Sequence, residues 1–206
     1  MRIGFFGGSF DPPHLGHLAV ARAAAEAFSL GSVLFAPTAR QPLKPGGASA
    51  SFEDRLAMVS LLTELQPATA TSQFKASRLD APLPDGSPNY TAKTLLSLRN
   101  AVSPHDSIFV IVGADAFLDL RHWHSPEILL KLADWIVVSR PNFSLQHLDT
   151  LCLTAKQLQR VHLLKHVHEP ASATSIRTLL ATGSDCTDLL PPSILTYIHN
   201  HHLYGA

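Results

Sequence analysis

The chain has 206 residues, 46% of them apolar and 16% charged, and its Lys and Arg balance its Asp and Glu at 16 each. That is enough chain to bury one full core, too apolar for a disordered protein, and too evenly charged for general binding to nucleic acid or an anionic membrane surface. Any affinity for phosphate must therefore be local.

Residues 2–6 form an apolar run that reads as a buried strand, directly after Met1 and without a secretory leader. A Gly-rich turn follows, then a helical pattern over 15–28 and a second strand at 32–36 (SVLFA). Residues 52–65 read as a helix because Leu56, Val59, Leu62 and Leu65 fall on one stripe. A weak strand is expected near 70–74, a Pro/Gly loop over 81–88 and a helix over 90–101. The clearest strand is 107–112 (SIFVIV), ending at Gly113, and the next is 135–139 (WIVVS), stopped by Pro141. A last strand is expected over 160–164, with helices over 174–182, stopped by Gly183, and over 192–201, opened by proline.

Val/Ile/Phe-rich strands separated by helices predict an α/β fold: a Rossmann-like, doubly wound, mostly parallel sheet with helices on both faces. Residues 1–206 read as a single domain. Cys152 and Cys186 lack CxxC spacing and read as reduced thiols, and the histidines near the end of the chain (His199, His201, His202) as a solvated helix end. No apolar run approaches a membrane span, so a soluble, cytoplasmic protein is expected.

The string 7–17, GGSFDPPHLGH, leaves the first strand and enters the first helix. Gly7 and Gly8 would allow close backbone approach to a ligand and positive φ. Leu15 and Gly16 would offer free N–H groups at a helix N-terminus, where anions are favoured. His14 and His17 lie three apart and would share a face, from which two imidazoles can donate to phosphate oxygens. The string is neither GxGxxG nor a Walker loop. At 172–177 (SATSIR), Thr174 can cap a helix, and Arg177, three residues on, can fork onto phosphates. Asp115 follows the strongest strand, where a carboxylate can accept ribose hydroxyls.

These strings resemble, in order along most of the chain, those of the (H/T)xGH nucleotidyltransferase superfamily, and GGSFDPPHLGHL is similar to that of bacterial nicotinate mononucleotide adenylyltransferases. Residues 37–44 (PTARQPLK) resemble the family's P-x4-PHK segment, and 89–95 (NYTAKTL) its SYTxDTL segment. Gly113-Ala114-Asp115 matches its GxD, Trp123 its tryptophan, 139–141 its RPG-like turn and SATSIR its SxTxxR signature. Three positions depart: Leu43 stands for the histidine of PHK, Lys93 for an aspartate and Asn89 for a serine.

The resemblance implies adenylyl transfer from ATP to nicotinate mononucleotide, the alternatives being the same transfer to nicotinamide mononucleotide or phosphopantetheine, or a non-catalytic nucleotide-binding regulator. The sequence shows no dedicated carboxylate cage, so Mg²⁺ is expected to arrive on ATP, with no metal site in the protein. The resemblance also implies His14, His17 and Arg177 at the reacting phosphates. Gly7, Gly8, Ser9, Phe10, Lys44, Gly113, Asp115, Ser172 and Thr174 would contact ATP. Tyr90, Thr91, Ala92, Trp123, His124 and Arg140 would hold the pyridine nucleotide, with Trp123 stacking on the ring and backbone N–H groups meeting the carboxylate.

Overall fold

The computed structural model describes residues 1–42, 46–67, 69–139, 145–165, 167 and 172–206. Six strands, β1 (Arg2–Gly8), β2 (Ser32–Pro37), β3 (Gln73–Ala76), β4 (Ser107–Gly113), β5 (Asp134–Val138) and β6 (Val161–Leu164), form one sheet in the order β3-β2-β1-β4-β5-β6. Every pairing is parallel. The sheet is the expected doubly wound one, and its order reverses between β1 and β4, where such sheets receive ligands.

Helices α1 (Leu15–Ala27), α2 (Phe52–Thr63), α3 (Thr91–Ala101), α4 (Ala114–Leu118), α5 (Pro126–Leu132), α6 (Ala155–Leu158), α7 (Ala173–Ala181) and α8 (Pro192–Asn200) connect and flank the strands. Alternation along the strands sends side chains into two separate cores. Phe6, Val33, Phe35, Phe109, Ile111 and Ile136 pack on one side with α1, α2, α7 and α8. Phe5, Ile108, Val110, Val112, Trp135 and Val137 pack on the other with α3, α4 and α5. Both faces are therefore covered by helix, which is why these strands read as nearly continuous apolar runs.

Local chemistry sets the helix ends. Ser51 caps α2 by accepting from the Asp54 N–H at 3.1 Å, and Glu53 and Asp54 occupy the first turn, where negative charge is favoured. Gly183, at φ 65, provides the left-handed residue after α7. The weak strand expected at 70–74 lies at Gln73–Ala76, the helix expected from residue 90 begins at Thr91, and the last strand begins at Val161. The stretch between β4 and β5 contains α4, a 3₁₀ turn (Leu120–His122) and α5. No helix among the described residues is long and apolar enough to cross a membrane. Cys152 is exposed and Cys186 buried, and both are free thiols.

Candidate active site

The ladder between β1 and β4 ends at Phe5 opposite Val110. Each strand continues on its other side, β1 with β2 as far as Gly8 and Pro37, and β4 with β5 as far as Gly113 and Val138. The two central strands thus part company over their last three residues. A cavity of about 470 Å³ opens there, lined by Phe6, Gly7, Gly8, Ile111, Val112 and Gly113 from the fork itself. Ser9, Thr38, Gln41, Asp80, Asn89, Tyr90, Thr91, Trp123 and His124 add to its wall.

Neither Gly7 nor Gly8 has positive φ, contrary to the sequence expectation; both belong to β1. Their lack of a side chain serves packing, since a Cβ on Gly7 would stand 2.9 Å from the Phe5 ring and one on Gly8 3.3 Å from Phe10. The positive φ falls on Phe10, at 48°. That backbone costs a bulky residue conformational energy, and it turns the ring into the core against Phe6, Phe35 and His17, with centroids 5.4, 5.9 and 4.8 Å away. The Phe10 side chain is therefore a core element, leaving only its backbone for a ligand. Gly113 is the opposite case: a Cβ there meets no protein atom within 4 Å, so its bareness leaves space in the cavity.

His14 is the N-cap residue of α1, and its ring lies 3.8 Å from that of His17, centroid to centroid. The His14 N–H donates to His17 Nδ1 at 3.2 Å, which leaves the proton of neutral His17 on Nε2. His14 is only 6% exposed, and its Nδ1 is buried without a hydrogen-bond partner among the described residues. Burial lowers the His14 pKa to about 4. Burial, and then the neighbouring His14, drive His17 well below the ordinary histidine value. Both rings are neutral near pH 7. The Leu15 N–H, expected to be free, donates to the Leu189 carbonyl at 3.0 Å.

The second signature lies at the start of α7. Ser172 caps this helix, accepting from the Ser175 N–H at 3.1 Å, so the capping role expected of Thr174 falls two residues earlier. Thr174 instead accepts weakly from Arg177 Nη2 at 3.4 Å. Arg177 Nη1 donates to the Asp11 carbonyl at 2.7 Å, which ties α7 to the turn between β1 and α1. Fold and turn together thus bring His14, His17 and Arg177, separated by up to 163 positions in sequence, to one end of the sheet. Asp115 is exposed in the first turn of α4, immediately beyond Gly113.

On the far wall, Trp123 is half-buried, edge-on to Trp135 at 6.2 Å. The rings of Tyr90 and His124 lie 4.5 Å apart, and Lys93 Nζ sits 5.7 Å over Tyr90. Ala92 is buried. His14, His17, Phe10, Ala92, Asp115, Ser172, Thr174 and Arg177 are not among the residues lining the cavity; Lys44 and Arg140 lie outside the described residues.

Four structural participants were not anticipated. Arg55, 1% exposed, donates from Nη1 to the Ser9 and Thr38 carbonyls at 2.6 and 2.9 Å and from Nε to the Ala50 carbonyl at 3.2 Å. It pins the ends of β1 and β2 together. Buried Asp80 accepts from Thr38 Oγ1 at 3.2 Å and from Thr94 Oγ1, and burial raises its pKa. Asn89 accepts from the Arg40 N–H at 3.0 Å and donates to the Ala81 carbonyl at 2.9 Å, so it fixes loops. Asp11 and Tyr204 form the fourth, a bond of 2.9 Å between the first turn and the far end of the chain. Among the described residues, no group of three or more His, Cys, Asp or Glu side chains is placed to hold a metal ion.

Residues 5–179 match the family described as cytidylyltransferase-like. A protein of Solibacter usitatus named probable nicotinate-nucleotide adenylyltransferase is 34% identical over 206 residues, covering all of both chains. A Pseudomonas syringae pv. tomato protein of the same name is 36% identical, over all of this chain and 94% of its own. Among solved structures, nicotinic acid mononucleotide adenylyltransferase of Plasmodium falciparum, complexed with NaAD, superposes with a TM-score of 0.72 at 17% identity, over 98% of this chain and 97% of that one.

Proposed function

The chain belongs to the cytidylyltransferase-like family, and we propose that it transfers the adenylyl group of ATP to nicotinate mononucleotide, giving nicotinate adenine dinucleotide and pyrophosphate. The observation that carries this reading is the fork between β1 and β4, with bare glycine at both of its tips and the His14–His17 pair at the helix start that follows. Full-length likeness to proteins named for this reaction supports the choice of acceptor.

An oxygen of the acceptor's 5′-phosphate attacks the α-phosphorus of ATP in line, and the bond to the bridging oxygen of pyrophosphate breaks as the new P–O bond forms. A phosphate monoester is nucleophilic near neutral pH, so positioning and charge stabilisation carry the catalysis. His17, with Nδ1 occupied, presents Nε2–H as a donor, and the His14 ring stands beside it, 3.8 Å away centroid to centroid. Arg177, Thr174 and Ser172 face the leaving pyrophosphate. Gly7, Gly8 and Ser9, with the Phe10 backbone and Gly113, border the nucleotide, Lys44 adds charge to its phosphates, and Asp115 accepts its ribose hydroxyls. Mg²⁺ would enter as the partner of ATP and offset the charge of its phosphates.

Trp123 offers its flat face to the pyridine ring. The first amides of α3 support an acidic substituent: the helix's own bonding begins with Lys93 and Thr94 onto the Tyr90 carbonyl, ahead of which the Thr91 and Ala92 N–H groups point out of the helix end. His124 lines this side of the cavity, and Arg140 is assigned to the same nucleotide.

The test is pyrophosphate release by purified protein with Mg·ATP and, separately, nicotinate mononucleotide, nicotinamide mononucleotide and phosphopantetheine. Release strongest with the nicotinate nucleotide is expected. Preference for another acceptor would overturn the substrate, and no release with any would overturn the enzyme.

A further inference from the structure

We propose that Tyr204 is a positioning residue for adenylyl transfer: its hydroxyl keeps the Asp11 carboxylate from capturing Arg177, so that the Arg177 guanidinium stays available to the phosphates of ATP. The proposal rests on the adenylyltransferase reading above.

Asp11 lies three residues before His14 and is 4% exposed. Its carboxylate accepts three hydrogen bonds, from the Ser49 N–H at 2.7 Å, the Ala50 N–H at 3.0 Å and the Tyr204 hydroxyl at 2.9 Å. A buried carboxylate beside a guanidinium ordinarily takes it in a two-pronged pair. Here Arg177 Nη1 reaches the Asp11 backbone carbonyl at 2.7 Å but stands 3.9 Å from Oδ2, the outer limit of an ion pair. Ala50 and Tyr204 fill Oδ1, the second oxygen that a two-pronged pair would need, while Oδ2, the oxygen nearest Arg177, holds the Ser49 N–H. The other guanidinium that feels Asp11, Arg55, is committed to the carbonyls of Ser9, Thr38 and Ala50.

The placement of Tyr204 couples this to the ATP side. It belongs to a 3₁₀ turn (Leu203–Gly205) that follows α8 and packs on α7, the helix that carries Arg177. Gly205 lies so close to it that an added Cβ would stand 3.6 Å from Ala181 Cα. The group that occupies Asp11 and the group spared by it are therefore carried on elements packed against each other. A phenol suits the task because it donates without adding charge. Burial, then the charge of Asp11, raise its pKa, so the donor keeps its proton across the working range of pH.

The experiment compares the full-length protein with Tyr204→Phe, which removes the hydroxyl and keeps the ring. The Kd for Mg·ATP by calorimetry and the KM for ATP should rise roughly fivefold to tenfold, the scale of one ordinary hydrogen bond. The KM for nicotinate mononucleotide should not change. The double variant Asp11→Asn/Tyr204→Phe should recover ATP affinity, because a neutral amide does not capture Arg177. An unchanged Kd for ATP in Tyr204→Phe, or a parallel rise in both KM values with a lowered Tm, would overturn the proposal, the second by marking Tyr204 as merely structural. A wild-type protein that binds Mg·ATP but releases no pyrophosphate with any acceptor would refute the enzyme reading alone, and the calorimetric comparison would still decide the role of Tyr204.

Discussion

The backbone N–H of His14 donates to Nδ1 of His17 at 3.2 Å, so one hydrogen bond both opens α1 and selects the tautomer of the second imidazole. These two roles can be separated by substitution. In His17→Asn the amide oxygen can still accept from His14, while the donor at the Nε2 position is lost. Thermal unfolding should stay close to wild type, and kcat should fall on the order of a hundredfold to a thousandfold, the scale of removing one transition-state donor. Near-normal turnover in this variant would remove His17 from the reacting centre.

Buried, neutral His14 makes stability depend on pH with a definite sign. Its pKa is about 4 in the folded protein and about 6.5 in an unfolded chain. Between these values the unfolded state binds more protons, so stability is full above 6.5 and declines as pH falls toward 4. From pH 7.5 to 5 the loss from His14 alone is about 2 kcal/mol. Asp80, raised by burial, works in the opposite direction at acid pH. Urea unfolding of wild type and His14→Asn at both pH values cancels that contribution, and an equal pH dependence in the two proteins would contradict the burial of a neutral His14.

Gly113→Val should separate folding from binding. The residue has φ −68 and ψ 147, open to any side chain, and a Cβ there meets no protein atom within 4 Å. Stability should change by no more than about 0.5 kcal/mol, as for substitutions that touch nothing. The KM for ATP should rise steeply, since the new side chain projects into the fork. Unaltered ATP kinetics would place the nucleotide elsewhere.

Arg55→Met would strip the donors from three carbonyls at once, those of Ser9, Thr38 and Ala50. A loss on the order of 3 kcal/mol or more is expected from unmet buried acceptors, measured by urea unfolding at pH 7.5. A loss below about 1 kcal/mol would mean that water reaches these carbonyls and that Arg55 is not what holds β1 to β2.

The sequence made β1, β4 and β5 legible because strands buried on both faces must be Ile, Val, Phe and Trp almost without interruption. It was less informative for β3, four residues at the sheet edge (QFKA), and for α4 and α5, whose five and seven residues are too few to display a helical period. The histidine string and SATSIR were readable because each is contiguous and sits where an element begins. The bonds of Asp11 to Tyr204 and of Asp80 to Thr38 and Thr94 join distant residues and leave no local pattern. Arg55 did leave one: positions 55, 58, 59 and 62 share the buried face of α2, and an arginine on such a face is a cation with interior partners.

The fork at the sheet centre ties nucleotide affinity to completion of the fold. β1 must pair with β2, Ile3 against Ser32, and with β4, Arg2 against Ser107, before there are two strand ends to diverge. A chain that has assembled only its first half has no such gap, so ligand is held by the finished sheet and released by any opening that unzips β1 from β4. Saturating nucleotide should accordingly slow amide hydrogen exchange along β1, β4 and their neighbours together, by a common factor, rather than only at the residues it touches.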